Sequence, residues 1–553
     1  KMTKIISTII SFIFFGSIAS AQLTEFSQGD ILSAGAMNQN FKYLEDRFGG
    51  LNEKTVDCGT SGTGSGINAA IKDGYNSIIV KGICKENIKW RTKKGERGYL
   101  KLKGYSNDQT SDKIIDNSSS SNSVIELTIS YLKIDNLIIS GGTRGVEVFG
   151  NSLLWADNVT VESYTQRGIN IDSSSVGWLG NVTVDGTKQS ASDEMGIRFG
   201  RGSNGYIYGT TTVKGNSSDS GGIVASGGFV WLDGTINLDS NKRSLAIDTG
   251  GTIGFSDNSN TTITNSTDYG IKVNYGKLWN NGTMTISDSS DGNWGISIDR
   301  SDAYLSNLTV TGGSGSDNLV GIYGSRLMLD NVTIKNHGGS LLDINRSNLI
   351  FQNTINLTNE SSSDGCLVYI GDSNFRFMGT TSITGTNNSN CNALNIFRSK
   401  GRIDNMNVTS PSHALYAVSS DVRIKGGSFS SSGGNGISVR EGSRFRLESG
   451  SSNLSITSSG SDALEVRSSY VKLDKGSNNL TISSTSSDDF DITNRSFSTL
   501  EIVDHTYTNI EVRDASNLII NSDATITNLT CTNTSNILKS GTVTNAGACS
   551  NAQ

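Results

Sequence analysis

From Gly145 onward the chain repeats one pattern of apolar and polar positions. A small residue precedes two apolar positions set one residue apart. A polar turn, a second alternating stretch, a tight Asn or Gly turn and a third alternating stretch follow. The unit reads GVEVFGNSLLWADNVTV from Gly145, GINIDSSSVGWLGNVTV from Gly168 and GIKVNYGKLWNNGTMTI from Gly270. Later copies begin at Gly295, Gly321, Ala393, Ala414, Gly436 and Ala463. Alternation with period two is the signature of strands, and a step of about 20 to 28 residues is the length of one coil of a three-sheet parallel solenoid. The pattern predicts an all-β rod of about 20 coils over residues 56–553, on the order of 100 Å long at ~4.8 Å per coil. Inward Val, Ile and Leu stack into one core, and every strand pairs above and below. The chain's one proline, Pro411, agrees, because proline removes a ladder hydrogen bond.

The start of the chain reads differently. Lys1 and Lys4, an apolar run from Ile5 to Ile18 and Ala19-Ser20-Ala21 form the three parts of a cleaved secretory signal over residues 1–21. The apolar run is short for a membrane span of about 20 residues, and no later stretch is apolar enough to cross a bilayer. Residues 22–55 read as a helix and linker: Ser33 caps a helix to about Phe48, with Met37, Phe41, Leu44 and Phe48 on one face and Gly49-Gly50 as the stop. Such a helix either covers the end of the rod or meets its copies in a homo-oligomer.

From Val56 the text runs VDCGTSGTGSGINAAIKDGYNSIIVKGICKENIKW. Ile67, Ala70 and Ile71 mark a short helix ending at Gly74, and Ser77 to Val80 is a β-branched strand leading into Gly82, Cys84, Glu86 and Asn87. This opening resembles that of secreted bacterial right-handed parallel β-helix proteins of the pectin-lyase-like superfamily. The resemblance covers about 35 residues, and it implies the beginning of a right-handed β-helix without specifying an activity.

Composition narrows the function. With 34% hydrophobic and 7% aromatic residues and 64 Gly, the chain lacks the Leu and aromatic content of a helical or doubly wound enzyme of this length. A net charge of −6 gives no basic field, which excludes nucleic acid as a partner. His337, His413 and His505 are widely spaced, so neither a zinc site nor a nucleophile, base and orienter triad can be assembled. The six cysteines fall into sequence-local pairs, Cys58 with Cys84, Cys366 with Cys391 and Cys531 with Cys549. In an exported chain they read as disulfide staples, the first two spanning about one coil.

Alternation sends one residue of each middle strand outward. Coil by coil these are Trp155, Trp178, Tyr208, Trp231, Trp279, Tyr304, Met328, Ile350, Arg376, Arg402, Arg423, Arg446 and Lys472. Stacked rings offer flat apolar faces to sugars, and a cationic stripe attracts carboxylate or sulfate, so the column predicts a contact surface for polysaccharide. Packing of the rings against one another or against another subunit is the competing reading. A second outward run, Asp172, Asp248, Asn274, Asp299 and Asn345, reads as a turn ladder. Only under a lyase reading would it offer Ca²⁺ ligands; otherwise no cofactor or metal is implied. A lyase would draw on Arg402, Arg423, Lys425 or Arg446 beside Asp404 or Glu448, but nothing in the spacing fixes them as a set. Arg423-Ile424-Lys425 and Asn336-His337-Gly338 echo polygalacturonase-like members of the superfamily, but the paired-aspartate element is missing. A basic run from Lys85 through Lys89, Arg91, Lys93, Lys94, Arg97, Lys101 and Lys103 reads as a solvated loop or as a patch for an acidic glycan. The reading that results is a secreted or cell-surface structural or adhesive rod contacting polysaccharide. A polysaccharide lyase or related carbohydrate-active enzyme is the alternative.

Overall fold

The computed structural model describes residues 50–549 apart from 92–97, 107–110, 118–121, 188–194, 217–220, 288–293, 314–317, 360–366, 386–391, 449–451, 475–478, 487–488, 522–523, 533–534 and 546–548. The expected leader over 1–21, the helix from Ser33 to Phe48 and the Cys366 to Cys391 pair lie outside the described residues.

The chain is an all-β parallel solenoid of well over a dozen turns with almost no helix. It opens with β1 (Glu53–Gly64), which pairs in parallel with β2 (Ser77–Lys85); between them α1 (Ile67–Lys72) buries Ile67 and Ala70 in the core. Glu86, only 5% exposed, accepts the N–H groups of Ile67 at 2.8 Å and Asn68 at 2.9 Å. It thereby satisfies donors that the first turn of a helix leaves open. This gives a role to the Glu86 that directly follows β2. Disulfides join Cys58 to Cys84 and Cys531 to Cys549, with Cα separations of 5.1 and 4.9 Å.

Each coil gives its first strand to one sheet, as in Arg144–Phe149, Arg167–Ile171 and Met195–Gly200. The leading glycines are required by packing. A Cβ on Gly145, Gly168 or Gly196 would come within 2.3 to 2.4 Å of Val161, Val184 or Val213 from the last strand of the same coil. The second and third stretches share a larger sheet, so hydrogen bonding makes two sheets where three are expected. The reason lies in long strands such as Asp302–Thr311 and Arg326–Lys335, which pass from one stretch to the next without a break. They turn at Asn307 and Asn331, whose φ of 49° and 54° lies in the left-handed region that Asn tolerates.

The polar turn before the second stretch hides a buried hydroxyl ladder. Ser347 N–H donates to Ser373 Oγ at 3.0 Å, Ser373 N–H to Ser399 Oγ at 3.0 Å, and Ser399 N–H to Ser420 Oγ at 3.2 Å. Each hydroxyl in turn donates to a carbonyl two residues back, Gly371 for Ser373 at 2.6 Å and Phe397 for Ser399 at 2.7 Å. Serine thus satisfies amides at a bend where no strand partner faces them. Among the described residues, no helix is long and apolar enough to cross a membrane.

Candidate functional site: an outward column of rings and cations

Register pairs set one outward residue of each coil beside the next. The column runs Lys101, Lys133, Trp155, Trp178, Tyr206, Trp231, Gly254, Trp279, Tyr304 and Met328. It continues through Ile350, Arg376, Arg402, Arg423, Arg446, Lys472 and Glu501. Three features correct the sequence expectation. Tyr206 replaces Tyr208 in the column, because the inward position before it is Gly205, not an apolar side chain. The ring of Phe199 fills that space, 2.2 Å from where a Cβ would sit. Trp155 is 5% exposed and packs against Trp178, Tyr206 and Tyr208, with the Lys133 ammonium 5.4 Å from its ring centre. It belongs to a satellite core rather than to an open ring face. Finally, Gly254 interrupts the rings, and Trp231 lies across it, with ring carbons 2.4 Å from a Cβ position.

The half-buried rings keep definite mutual geometry. Trp178 and Tyr206 are 5.2 Å apart at 47°, and Trp231 stacks on Phe229 at 6.4 Å and 14°. A second run of rings, on the first sheet, joins Tyr269, Trp294 and Tyr323 at 6.3 and 6.1 Å. Motif reading passed over it, although the aromatic residues directly before Gly270 and Gly295 were its signal.

The cations are mostly committed. Glu448 takes Arg423, Arg446 at 2.8 Å and Lys425 at 3.8 Å; Arg402 pairs with Asp404, and Lys472 with Glu501 at 3.0 Å. Arg376 makes no ion pair among the described residues and stands in the column between Arg402 and the exposed Ile350. Glu448 and Asp404 are therefore counter-ions, and neither is an uncommitted base. At the other end Lys101 and Lys133 enter the same column ahead of Trp155, so cations flank the rings on both sides. Of the basic run, Lys93, Lys94 and Arg97 lie outside the described residues, and Lys89 reaches Glu126 at 3.6 Å.

In the second outward run Asn274 and Asp299 are in register, whereas Asp172 is bound by Arg198 at 2.8 Å. Among the described residues no three His, Cys, Asp or Glu side chains converge as a metal site. His337, in the sequence match to polygalacturonase-like members, is 1% exposed and lies inside the coil.

One carboxylate pair stands close to the rings. Asp135 and Asp157 are in register, two residues beyond Lys133 and Trp155. Burial raises the Asp135 pKa against the opposing pull of Lys133 and Lys101, while Asp157 accepts the Asn181 amide at 3.1 Å.

His413 stacks on Tyr416 at 5.9 Å, and its Nδ1 accepts the Asn435 N–H at 2.7 Å. Burial first, then the Arg440 charge, hold its pKa below the ordinary histidine value. The folded state therefore binds this proton less readily than the unfolded chain. The stabilisation is complete above about pH 6.5, the unfolded value, and is lost as pH falls through the folded one. Denaturation midpoints of the native chain should fall between pH 7 and pH 5 more steeply than those of His413→Gln. Parallel curves for the two would show that His413 is not the titrating group.

No protein-family model matches this chain, and no curated protein matches it.

Proposed function

We propose that this chain is a secreted or cell-surface rod, structural or adhesive, that contacts polysaccharide along the column from Lys101 to Lys472. In this reading the coils are right-handed and the chain is a pectin-lyase-like superfamily member. The carrying observation is the register of Trp178, Tyr206, Trp231, Trp279 and Tyr304 on successive or near-successive coils, followed by Arg376 and its neighbours. Coils repeat at about 4.8 Å, so such a column follows an extended polymer, with rings for pyranose faces and cations for its acidic groups. The two disulfides fit an oxidising compartment.

A second reading, a polysaccharide lyase or related carbohydrate-active enzyme, is favoured by the Asp135 and Asp157 pair. A carboxyl whose pKa burial raises, with a second carboxyl in register beside it, is an arrangement that can serve acid and base roles on a sugar. One experiment separates the two. The chain is incubated with uronate, sulfated and neutral polysaccharides, with and without added Ca²⁺. Retention, new reducing ends and the ultraviolet absorbance of unsaturated uronate are followed together. Retention with neither product signal is the expected result. Product formation that Asp135→Asn abolishes would establish the enzyme, and absence of retention on every polymer would overturn the contact surface.

A further inference from the structure

Near the cationic end of the column, a hollow of about 460 Å³ opens between consecutive turns, lined by Gly442, Arg444, Ser468, Tyr470 and Phe497. Phe497 is the most unusual of these. The residue is 79% exposed, and its backbone has φ 62°, in the left-handed region where a bulky residue is costly. Ser496 before it also has positive φ, so the turn is held by two left-handed residues in succession. Tyr470 is anchored from below, its hydroxyl donating to Glu501, which Lys472 also holds at 3.0 Å. The Arg444 guanidinium lies 5.6 Å from the Tyr470 ring centre and makes no ion pair among the described residues. The Ser468 hydroxyl is committed to the Ser496 carbonyl at 2.9 Å. The hollow thus presents an exposed ring, a fixed ring and one uncommitted cation, with its other polar groups already satisfied.

We propose that this hollow is a subsite for a single acidic sugar of the bound polymer, its pyranose face on Phe497 and its carboxylate or sulfate on Arg444. The proposal rests on the polysaccharide reading and deepens it by naming the charged unit. A guanidinium fits a planar carboxylate or a sulfate edge with two parallel hydrogen bonds, which no neutral sugar supplies. The neighbouring cations of the column, with Glu448, Asp404 and Glu501 already on them, would follow the chain without choosing its charge pattern.

The test measures binding of the whole chain, Arg444→Gln and Phe497→Ala to a sulfated or uronate oligosaccharide and to its desulfated or carboxyl-reduced counterpart, by calorimetry. The unaltered chain should prefer the acidic form by about tenfold or more. Arg444→Gln should bring that ratio to within about twofold while leaving binding to the neutral form, and Phe497→Ala should weaken both forms together. Arg444→Lys should restore the preference only in part, because an ammonium cannot make the paired contact. An acidic-to-neutral ratio unchanged in Arg444→Gln overturns the subsite while the polysaccharide reading stands. Failure of the unaltered chain to bind either form overturns both.

Discussion

Changing Trp178 and Trp231 together to Ala is expected to weaken polysaccharide retention by about 10- to 100-fold, corresponding to about 1 to 3 kcal/mol for two lost stacking faces. Both rings are half-buried members of the column, and the Trp231 ring lies over Gly254. Thermal stability should fall by less than it does in Trp155→Ala, because Trp178 only flanks the buried Trp155 ring and stays half-buried itself. Trp155→Ala is the contrasting control. That ring is 5% exposed and sits in a satellite core with Trp178, Tyr206 and Tyr208, so its loss should cost about 3 to 5 kcal/mol of stability. Affinity chromatography on the retained polymer, paired with thermal denaturation of each variant, checks both halves. If the double variant is retained as well as the native chain, the column is packing and the contact surface must be sought elsewhere.

Glu465→Ala is expected to be the most destabilising single change on the first sheet. The Glu465 side chain is 1% exposed and accepts from Arg440 at 2.6 Å, from Arg495, from Ser438 at 2.8 Å and from Asn435 at 3.0 Å. Arg440 also lies over the Tyr416 ring at 5.2 Å, so the carboxylate holds together three coils and the His413 stack. Its removal takes the ion-pair partner from two half-buried guanidinium groups, at a cost of about 3 to 5 kcal/mol. In a solenoid each coil touches only its neighbours, so the damage should stay local. Hydrogen exchange is expected to accelerate over the coils from 413 to 513, with protection around 130–250 unchanged. Uniform acceleration along the chain would show that the rod unfolds as one unit and that the network is not a local staple.

Both expectations depend on registers that the sequence conveyed in part. The alternating pattern and its repeat step sufficed for parallel coils and for cations following rings in one column, because strand alternation and stacking are near-neighbour geometry. The short helix was legible from Ile67, Ala70 and Ile71 ahead of Gly74, and the disulfides of Cys58 and Cys531 from sequence-local cysteine pairs. Tyr206 was missed because a glycine occupied the inward position, and a small residue there makes sense only once the Phe199 ring is known to fill the space. Lys101 and Lys133 were missed because their coils precede the clear repeats, so only pairing shows that they share the column of Trp155.

The tertiary structure decided which groups remain free to act. In the sequence Arg402, Arg423, Arg446 and Lys472 are equal cations. In the fold each meets a carboxylate from its own or an adjacent coil, and Arg376 and Arg444 do not among the described residues. The serine ladder is similar: the residues read as polar turns, yet each hydroxyl is buried and joins two coils. Alternation along one strand determines which way a side chain points. Arg402 with Asp404 and Arg446 with Glu448 pair within one strand, but other partners come from coils some 20 to 30 residues away, as Arg423 with Glu448 and Ser373 with Ser399 show. Charge neutralisation and burial depend on those partners, and so they are properties of the stacked rod and not of the repeat that builds it.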